Sequence, residues 1–200
     1  MMPLLIATHN THKTEEIRAI LGDRFRVSDL TQHPGFAEPE ETGATFAENA
    51  AIKALAASAA AGPDAWVLAD DSGLEVDALG GAPGVTSARY SGTHGDNAGH
   101  RAKLLAELAR VGAASPEQRA ARFRCVLVLA KGGQIAGEYH GAVEGRIALE
   151  EKGSGGFGYD PLFVPDGETQ TFGELPAEVK NAFSHRARAL AAFVAAQAAK

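Results

Sequence analysis

Two adjacent carboxylates, Asp70 and Asp71, follow the apolar run Trp66-Val67-Leu68-Ala69 and precede Ser72-Gly73. Oxygen ligands at the end of a buried strand, where the backbone turns away, are a common way to place a hard cation. The same pair also reads as a turn signal or a solvated cap. Neighbouring side chains in extended backbone point to opposite faces. Asp70 and Asp71 are therefore expected to do different work, one facing a cleft and the other the core or backbone.

Four further clusters carry chemistry. Ala7-Thr8-His9-Asn10-Thr11-His12-Lys13 leads from an apolar segment into a helical pattern. A helix N-terminus there forms an anion site, with Lys13 adding charge and Thr8 and Asn10 adding hydrogen-bond donors. The glycine-lysine pattern of a P-loop is missing, and a strand–turn–helix with an Asn cap explains the same residues. In the second cluster, Glu41 lies in an acidic loop within reach of a metal. Asn49 and Lys53, four residues apart, share a helix face, while Glu38 and Glu40 read as solvated. The third is Ser154-Gly155-Gly156-Phe157-Gly158-Tyr159-Asp160-Pro161, whose two aromatics suit a planar base and whose Asp160 is an acceptor. A hairpin loop with buried aromatics is the competing reading. The fourth is Lys180-Asn181-Ala182-Phe183-Ser184-His185-Arg186, a cationic cluster with Ser184 as a helix cap. His185 and Arg186 are donors suited to a carbonyl oxygen on a base; taken alone, the segment reads as a helix start with surface charges.

The elements that must position these residues follow from periodicity. Strands are expected at Leu4–Thr8, Phe25–Ser28 and Trp66–Ala69. Helices are expected from Thr11 to Leu21, with Ile17, Ile20 and Leu21 on one face, and from Thr45, where Thr45 and Glu48 form a capping box, to Gly62-Pro63. A third helix spans Asn97 to about Val111, with Leu104, Leu105 and Leu108 apolar. Leu74 to Gly95 is glycine-rich and reads as irregular. Phe123–Ala130 and Gln134–Ala142 flank Lys131-Gly132-Gly133 as a hairpin. Pro176 opens a short helical turn, and a last helix runs from about Ser184 to Ala199 with Ala187, Leu190 and Val194 as its buried stripe. Strands and helices alternate early and strands cluster later, which predicts a mixed sheet in an α/β protein.

Two hundred residues suit one sizeable domain or two lobes sharing a core. The formal charge of −6 argues against broad nucleic-acid binding, though a few local cations can hold a small anion. No apolar run approaches the roughly 18 residues of a membrane span. Met1 to Ile6 reads as a first strand, not a leader. The single cysteine, Cys125, forms no internal disulfide, reads as core, and points to a reducing cytoplasm.

Taken together and in order, Glu41-Thr42-Gly43, Ala69 to Leu74, Gly80-Gly81-Ala82-Pro83-Gly84, Ser87-Ala88-Arg89-Tyr90-Ser91-Gly92, Gly155 to Pro161 and Ser184-His185-Arg186 resemble the inosine triphosphate pyrophosphatase (Ham1-like) family, in its bacterial dITP/XTP pyrophosphatase branch. The resemblance covers Ile6 to about Leu190. It implies an elongated mixed β-sheet flanked by helices, with two lobes and a central cleft, built from residues 1–200 as one domain and paired as a homodimer. It also implies a cytoplasmic, Mg²⁺-dependent hydrolase that cuts ITP, dITP and XTP to the monophosphate and pyrophosphate, with no nucleic-acid or membrane partner.

Carried over residue by residue, the segment Thr8, His9, Asn10, Thr11, His12 and Lys13 would cradle the triphosphate, with Lys53 adding charge. Asp71 would bind the metal and accept the proton of the attacking water, Glu41 would help hold the metal, and Ser72 would touch substrate. Phe157, Gly158, Tyr159 and Asp160 would receive the base. Lys180, Ser184, His185 and Arg186 would read its 6-oxo edge. The family has glycine where this chain has His9, and glycine permits positive φ and close approach. His9 is therefore expected either to point away from the phosphates or to donate to them. Two other readings remain: a Maf-like pyrophosphatase for modified pyrimidine nucleotides, and a non-catalytic nucleotide-binding module.

Overall fold

A computed structural model describes residues 1–198. The early alternation appears as β1 (Met2–Ile6), α1 (Thr11–Leu21), β2 (Phe25–Asp29), α2 (Phe46–Ala61) and β3 (Trp66–Val76). There follow α3 (Asn97–Arg110), β4 (Ala120–Lys131), β5 (Gln134–Ile147), β6 (Phe163–Pro165), α4 (Ala177–Phe183) and α5 (His185–Ala198). The strands form one sheet in the order β2-β1-β3-β4-β5-β6. β1 runs parallel to β2 and to β3, and β5 runs antiparallel to β6. The sheet is therefore mixed, as the strand and helix order predicts.

The local signals act where they stand. Thr45 caps α2, and its hydroxyl and the Glu48 carboxylate satisfy each other's backbone N–H groups. Gly132 and Gly133 both take positive φ, 57° and 74°, the requirement of a two-residue hairpin turn that matches strand twist. Several boundaries differ from expectation. β1 stops at Ile6 because Thr8 N turns back to donate to Ile6 O at 2.8 Å. β4 and β5 extend beyond the apolar runs at the ends away from their turn.

The largest departure is β3, which does not end at Asp70-Asp71 but continues through Ser72-Gly73 to Val76. Gly73 is not among the glycines with positive φ, and Leu74 and Val76, two apart, are buried. The strand's apolar alternation thus persists across a sequence that reads as a turn. In α5 the fully buried apolar residues are Ala189, Leu190 and Phe193; Ala187 is buried as expected, and Val194 is only partly buried. The stripe is therefore rotated slightly from the expected one; its expected end at Ala199 lies outside the described residues.

The chain divides into two compact units. The first contains residues 1–71, 125–141 and the chain from Arg186 onward; the second contains residues 72–124 and 142–185. The first has a core of Leu4, Ile6, Ile17, Leu21, Leu68, Leu127, Leu129, Leu190 and Phe193 among others. The second centres on Leu74, Leu104, Leu108, Phe123, Leu162, Phe163 and Phe172. Among the described residues, no helix is long and apolar enough to cross a membrane.

Candidate functional site

In the first unit, strand alternation separates the two aspartates as expected. Asp70 is 1% exposed. Its Oδ2 accepts from Arg186 Nε at 2.8 Å, and its Oδ1 accepts from Lys13 Nζ at 2.7 Å. The Cys125 thiol lies 3.3 Å from Oδ2. Burial alone would raise the Asp70 pKa, but the Arg186 guanidinium and the Lys13 ammonium hold it well below the usual carboxylate range. Arg186 also donates through NH1 to Glu16 Oε2. Asp70 is thus the structural partner of its neighbour, tying β3 to α1 and α5.

Asp71 faces α2. Its Oδ1 accepts from Lys53 Nζ at 2.7 Å, while its buried Oδ2 has no hydrogen-bond partner among the described residues. The Lys53 ammonium also donates to Glu41 Oε1 at 2.9 Å and to Asp70 O at 3.0 Å. An ammonium has three protons, and here each has an acceptor. Burial opposes the Lys53 charge, yet Asp71 and Glu41 outweigh it and raise its pKa. Burial likewise raises the Asp71 carboxyl; Lys53 and Lys13 pull it down, and the Glu41 charge pushes it up again. One cation serves two carboxylates, so the cation is held strongly and Asp71 is incompletely compensated.

The loop before α1 is built from its own polar side chains. Thr8 is buried, its Oγ1 accepts from Asn10 N at 3.1 Å, and Asn10 caps α1 by accepting from Lys13 N at 3.3 Å. Thr11 and His12 form the exposed start of that helix. His9 N and Nδ1 both lie on Glu38 Oε1, at 2.7 and 2.9 Å. Among the described residues no non-glycine takes positive φ, so His9 fills the family's glycine position in ordinary backbone. Glu38, expected to be only solvated, is its partner.

In the second unit, Ser72 stands within β3, directly after Asp71. Asp160 Oδ2 accepts from Phe157 N at 2.8 Å and from Lys180 Nζ at 2.6 Å, both charges being buried. The Lys180 ammonium also sits 5.1 Å from the Phe157 ring centre, a cation–π distance. Gly158 O accepts from Arg101 at 2.9 Å. Tyr159 is buried; its hydroxyl donates to Ser87 O at 2.9 Å and its ring stacks on His100. Burial raises its pKa. His185 is stacked on Phe123 with centroids 4.7 Å apart, and Ser184 is fully buried where α4 ends.

The structure thus gathers Thr8, Asn10, Lys13, Glu41, Lys53, Asp70, Asp71 and Arg186 in the first unit, and Ser72, Phe157, Gly158, Tyr159, Asp160, Lys180, Ser184 and His185 in the second. Arg186, grouped in sequence with the base-reading residues, has its guanidinium on Asp70 and Glu16. Glu16 is not distinguished in the sequence, because an acidic residue on an exposed-looking helix face carries no pattern of its own. Its spacing of three from Lys13, which places both on one face, is the signal that was present.

Asp71 and Glu41 suit a hard divalent cation. Both offer carboxylate oxygens, and Asp71 Oδ2 is a buried acceptor in need of a partner. Among the described residues no group of three or more His, Cys, Asp or Glu side chains is assembled as a metal cage.

The fold and these clusters define an α/β protein with a charged site built on the middle of a sheet strand. The chain belongs to the Ham1 family, whose model matches residues 4–196. It is 49% identical over 190 residues to the dITP/XTP pyrophosphatase of Desulforamulus reducens, covering 94% of this chain and 92% of that one. It is 46% identical over 191 residues to the dITP/XTP pyrophosphatase of Bacillus subtilis, covering 95% and 94%. Among solved structures, a HAM1 protein from Coxiella burnetii superposes with a TM-score of 0.87 at 37% identity over the whole of both chains. The dITP/XTP pyrophosphatase from Mycobacterium abscessus gives 0.74 at 44% identity, covering 96% of this chain and 98% of that one.

Proposed function

We propose that this chain is a Mg²⁺-dependent nucleoside triphosphate pyrophosphatase. It hydrolyses the non-standard purine nucleotides ITP, dITP and XTP to the monophosphate and pyrophosphate and so cleanses the nucleotide pool. It acts as a homodimer in the cytoplasm, with residues 1–200 as one working domain. The observation that carries this reading is the Asp71 carboxylate: one oxygen is fixed by Lys53, and the other is buried without a partner among the described residues. The family membership and the names of the relatives support the same reaction.

In the mechanism, Asp71 Oδ2 accepts a proton from water as the water oxygen bonds to the α-phosphorus. The bond from that phosphorus to the bridging oxygen breaks, and pyrophosphate leaves. Burial raises the Asp71 pKa, making it a stronger base than an exposed carboxylate. Asp71 and Glu41 are the residues that would hold Mg²⁺, which when bound supplies neutralisation of phosphate charge. Asn10 and Lys13, with the first turn of α1 at Thr11 and His12, receive phosphate oxygens, and Thr8 holds that loop in shape. His9 is held aside by Glu38. Ser72 touches substrate next to Asp71.

For the base, Phe157 offers a ring face, Gly158 and Tyr159 set the backbone on which it sits, and Asp160 fixes Lys180. Lys180, Ser184 and His185 meet the 6-oxo edge, where adenine would present a donor and leave a buried group unpaired. Arg186 is assigned to Asp70 instead of the base.

Pyrophosphate release from ITP, XTP, GTP, ATP and UTP, with and without Mg²⁺, tests the reading. Fast release from ITP and XTP in the presence of Mg²⁺ is expected. Faster turnover of UTP than of ITP would favour the pyrimidine reading, and ITP binding with no release over hours would favour a binding module. Asp71→Asn is expected to lower turnover by on the order of 10²–10⁴ while nucleotide binding persists; wild-type turnover in that variant would remove Asp71 as the base.

A further inference from the structure

The three protons of Lys53 are all engaged by protein oxygens, at Glu41 Oε1, Asp70 O and Asp71 Oδ1. Lys53 is therefore a holder of carboxylates and has no N–H group to offer a phosphate without breaking one of those bonds. One turn earlier on the same face of α2 stands Asn49, fully buried. Its Oδ1 accepts from Gly43 N at 2.8 Å, two residues beyond Glu41. That bond fixes the orientation of the amide, because a backbone N–H needs an acceptor. Asn49 Nδ2 is left as a buried donor with no partner among the described residues. Buried donors are seldom unsatisfied in native proteins, and an exception calls for a functional explanation.

The contact is a built one. A Cβ at residue 43 would lie 2.7 Å from Asn49 Oδ1 and 2.6 Å from Glu48 Cβ. Only glycine lets the Glu41 loop come this close to the first turn of α2. The amide thus has one end committed to the loop that carries Glu41 and the other end buried without a partner among the described residues, one helical turn before Lys53.

We infer that Asn49 is the donor that α2 presents to the substrate. Its Oδ1 clamps the Glu41–Gly43 loop, and its Nδ2 donates to a non-bridging phosphate oxygen of the bound nucleotide, while Lys53 positions the two carboxylates. This rests on the proposed pyrophosphatase activity.

The test is steady-state hydrolysis of ITP by wild type, Asn49→Asp and Asn49→Ala, together with amide hydrogen exchange at Gly43. Asn49→Asp keeps the acceptor for Gly43 N and loses the donor; Asn49→Ala loses both without adding charge. Both variants are expected to raise KM by about tenfold or more, the scale of a lost hydrogen bond to a charged group, with a smaller change in kcat. Gly43 exchange is expected to stay slow in Asn49→Asp and to speed up in Asn49→Ala. Should Asn49→Ala not fold, the near-isosteric, uncharged Asn49→Leu removes the donor in its place. Unchanged KM in active variants overturns the inference and leaves the pyrophosphatase reading intact. An inactive wild type overturns that reading and the phosphate contact with it, while slow Gly43 exchange in wild type and Asn49→Asp would still report the clamp.

Discussion

At Lys53 one ammonium meets three acceptors, and at Asp70 one carboxylate meets two cations. The neighbouring aspartates therefore respond to pH in opposite senses. The Asp70 pKa is lowered in the folded state, so its stabilising contribution is present above the ordinary carboxylate range and is lost as pH falls through the depressed value. The Asp71 pKa is raised, so its contribution is present below the ordinary range and is lost as pH rises through the elevated value. Removing one member of a buried ion pair typically costs about 3–5 kcal/mol, because the remaining charge stays buried. Asp70→Asn is expected to lose stability on that scale at neutral pH, and to lose less as the pH is lowered. Urea unfolding at several pH values measures both effects; a variant as stable as wild type at neutral pH would show that Arg186 and Lys13 do not depend on Asp70.

Each element positions its residues through identifiable local features. Thr45→Ala removes half of the capping box that starts α2 and is expected to cost about 1 kcal/mol, read as a lower thermal midpoint, with Lys53 and Asn49 still on one face. Gly156→Ala acts differently. A Cβ there would lie 2.0 Å from Asp160 Oδ2, and Gly156 has φ of 66°. Asp160 must then move, and with it the anchor of Lys180. KM for ITP is expected to rise while the Mg²⁺ requirement is unchanged; an unaltered KM would detach that loop from the base.

The Asn10 cap, the Thr45–Glu48 capping box and the Gly132-Gly133 turn are legible in the sequence because each depends on residues close together in the chain, and the mixed sheet is legible from the order of strands and helices. The opposite facing of Asp70 and Asp71 was also legible, since strand alternation needs no tertiary information. The run of β3 past Gly73 was not, because glycine reads as a turn until neighbouring strands are known to pair with it. Nor was the Arg186 pairing legible, since Glu16 is 170 residues away in the chain. In the sequence Tyr159 offers a ring for a base; its hydroxyl is held by Ser87 O, a partner that only the fold reveals.

At the scale of the molecule, binding that requires the folded site shifts the folding equilibrium. Ligand at a hundredfold excess over its Kd adds about 2.7 kcal/mol to stability. A hydrolysis-resistant ITP analogue with Mg²⁺ is expected to raise the thermal midpoint, and a chelator to abolish most of that rise. An equal rise with the chelator present would show that nucleotide binding does not require the ion.

The chain crosses between its two units four times, after Asp71, Arg124, Gly141 and His185. Two of those crossings fall within Asp71-Ser72 and His185-Arg186. Neither unit is therefore a contiguous stretch that could be cloned by itself. A fragment ending at Asp71 would carry Leu4, Ile6 and Leu68 without Leu127, Leu129, Leu190 and Phe193, which complete their core. Splitting the protein for two-fragment complementation, or fusing a reporter into it, calls for loops away from these crossings. The Gly132-Gly133 turn is the natural insertion point, since it lies wholly within the first unit and interrupts none of the residues assigned to the reaction.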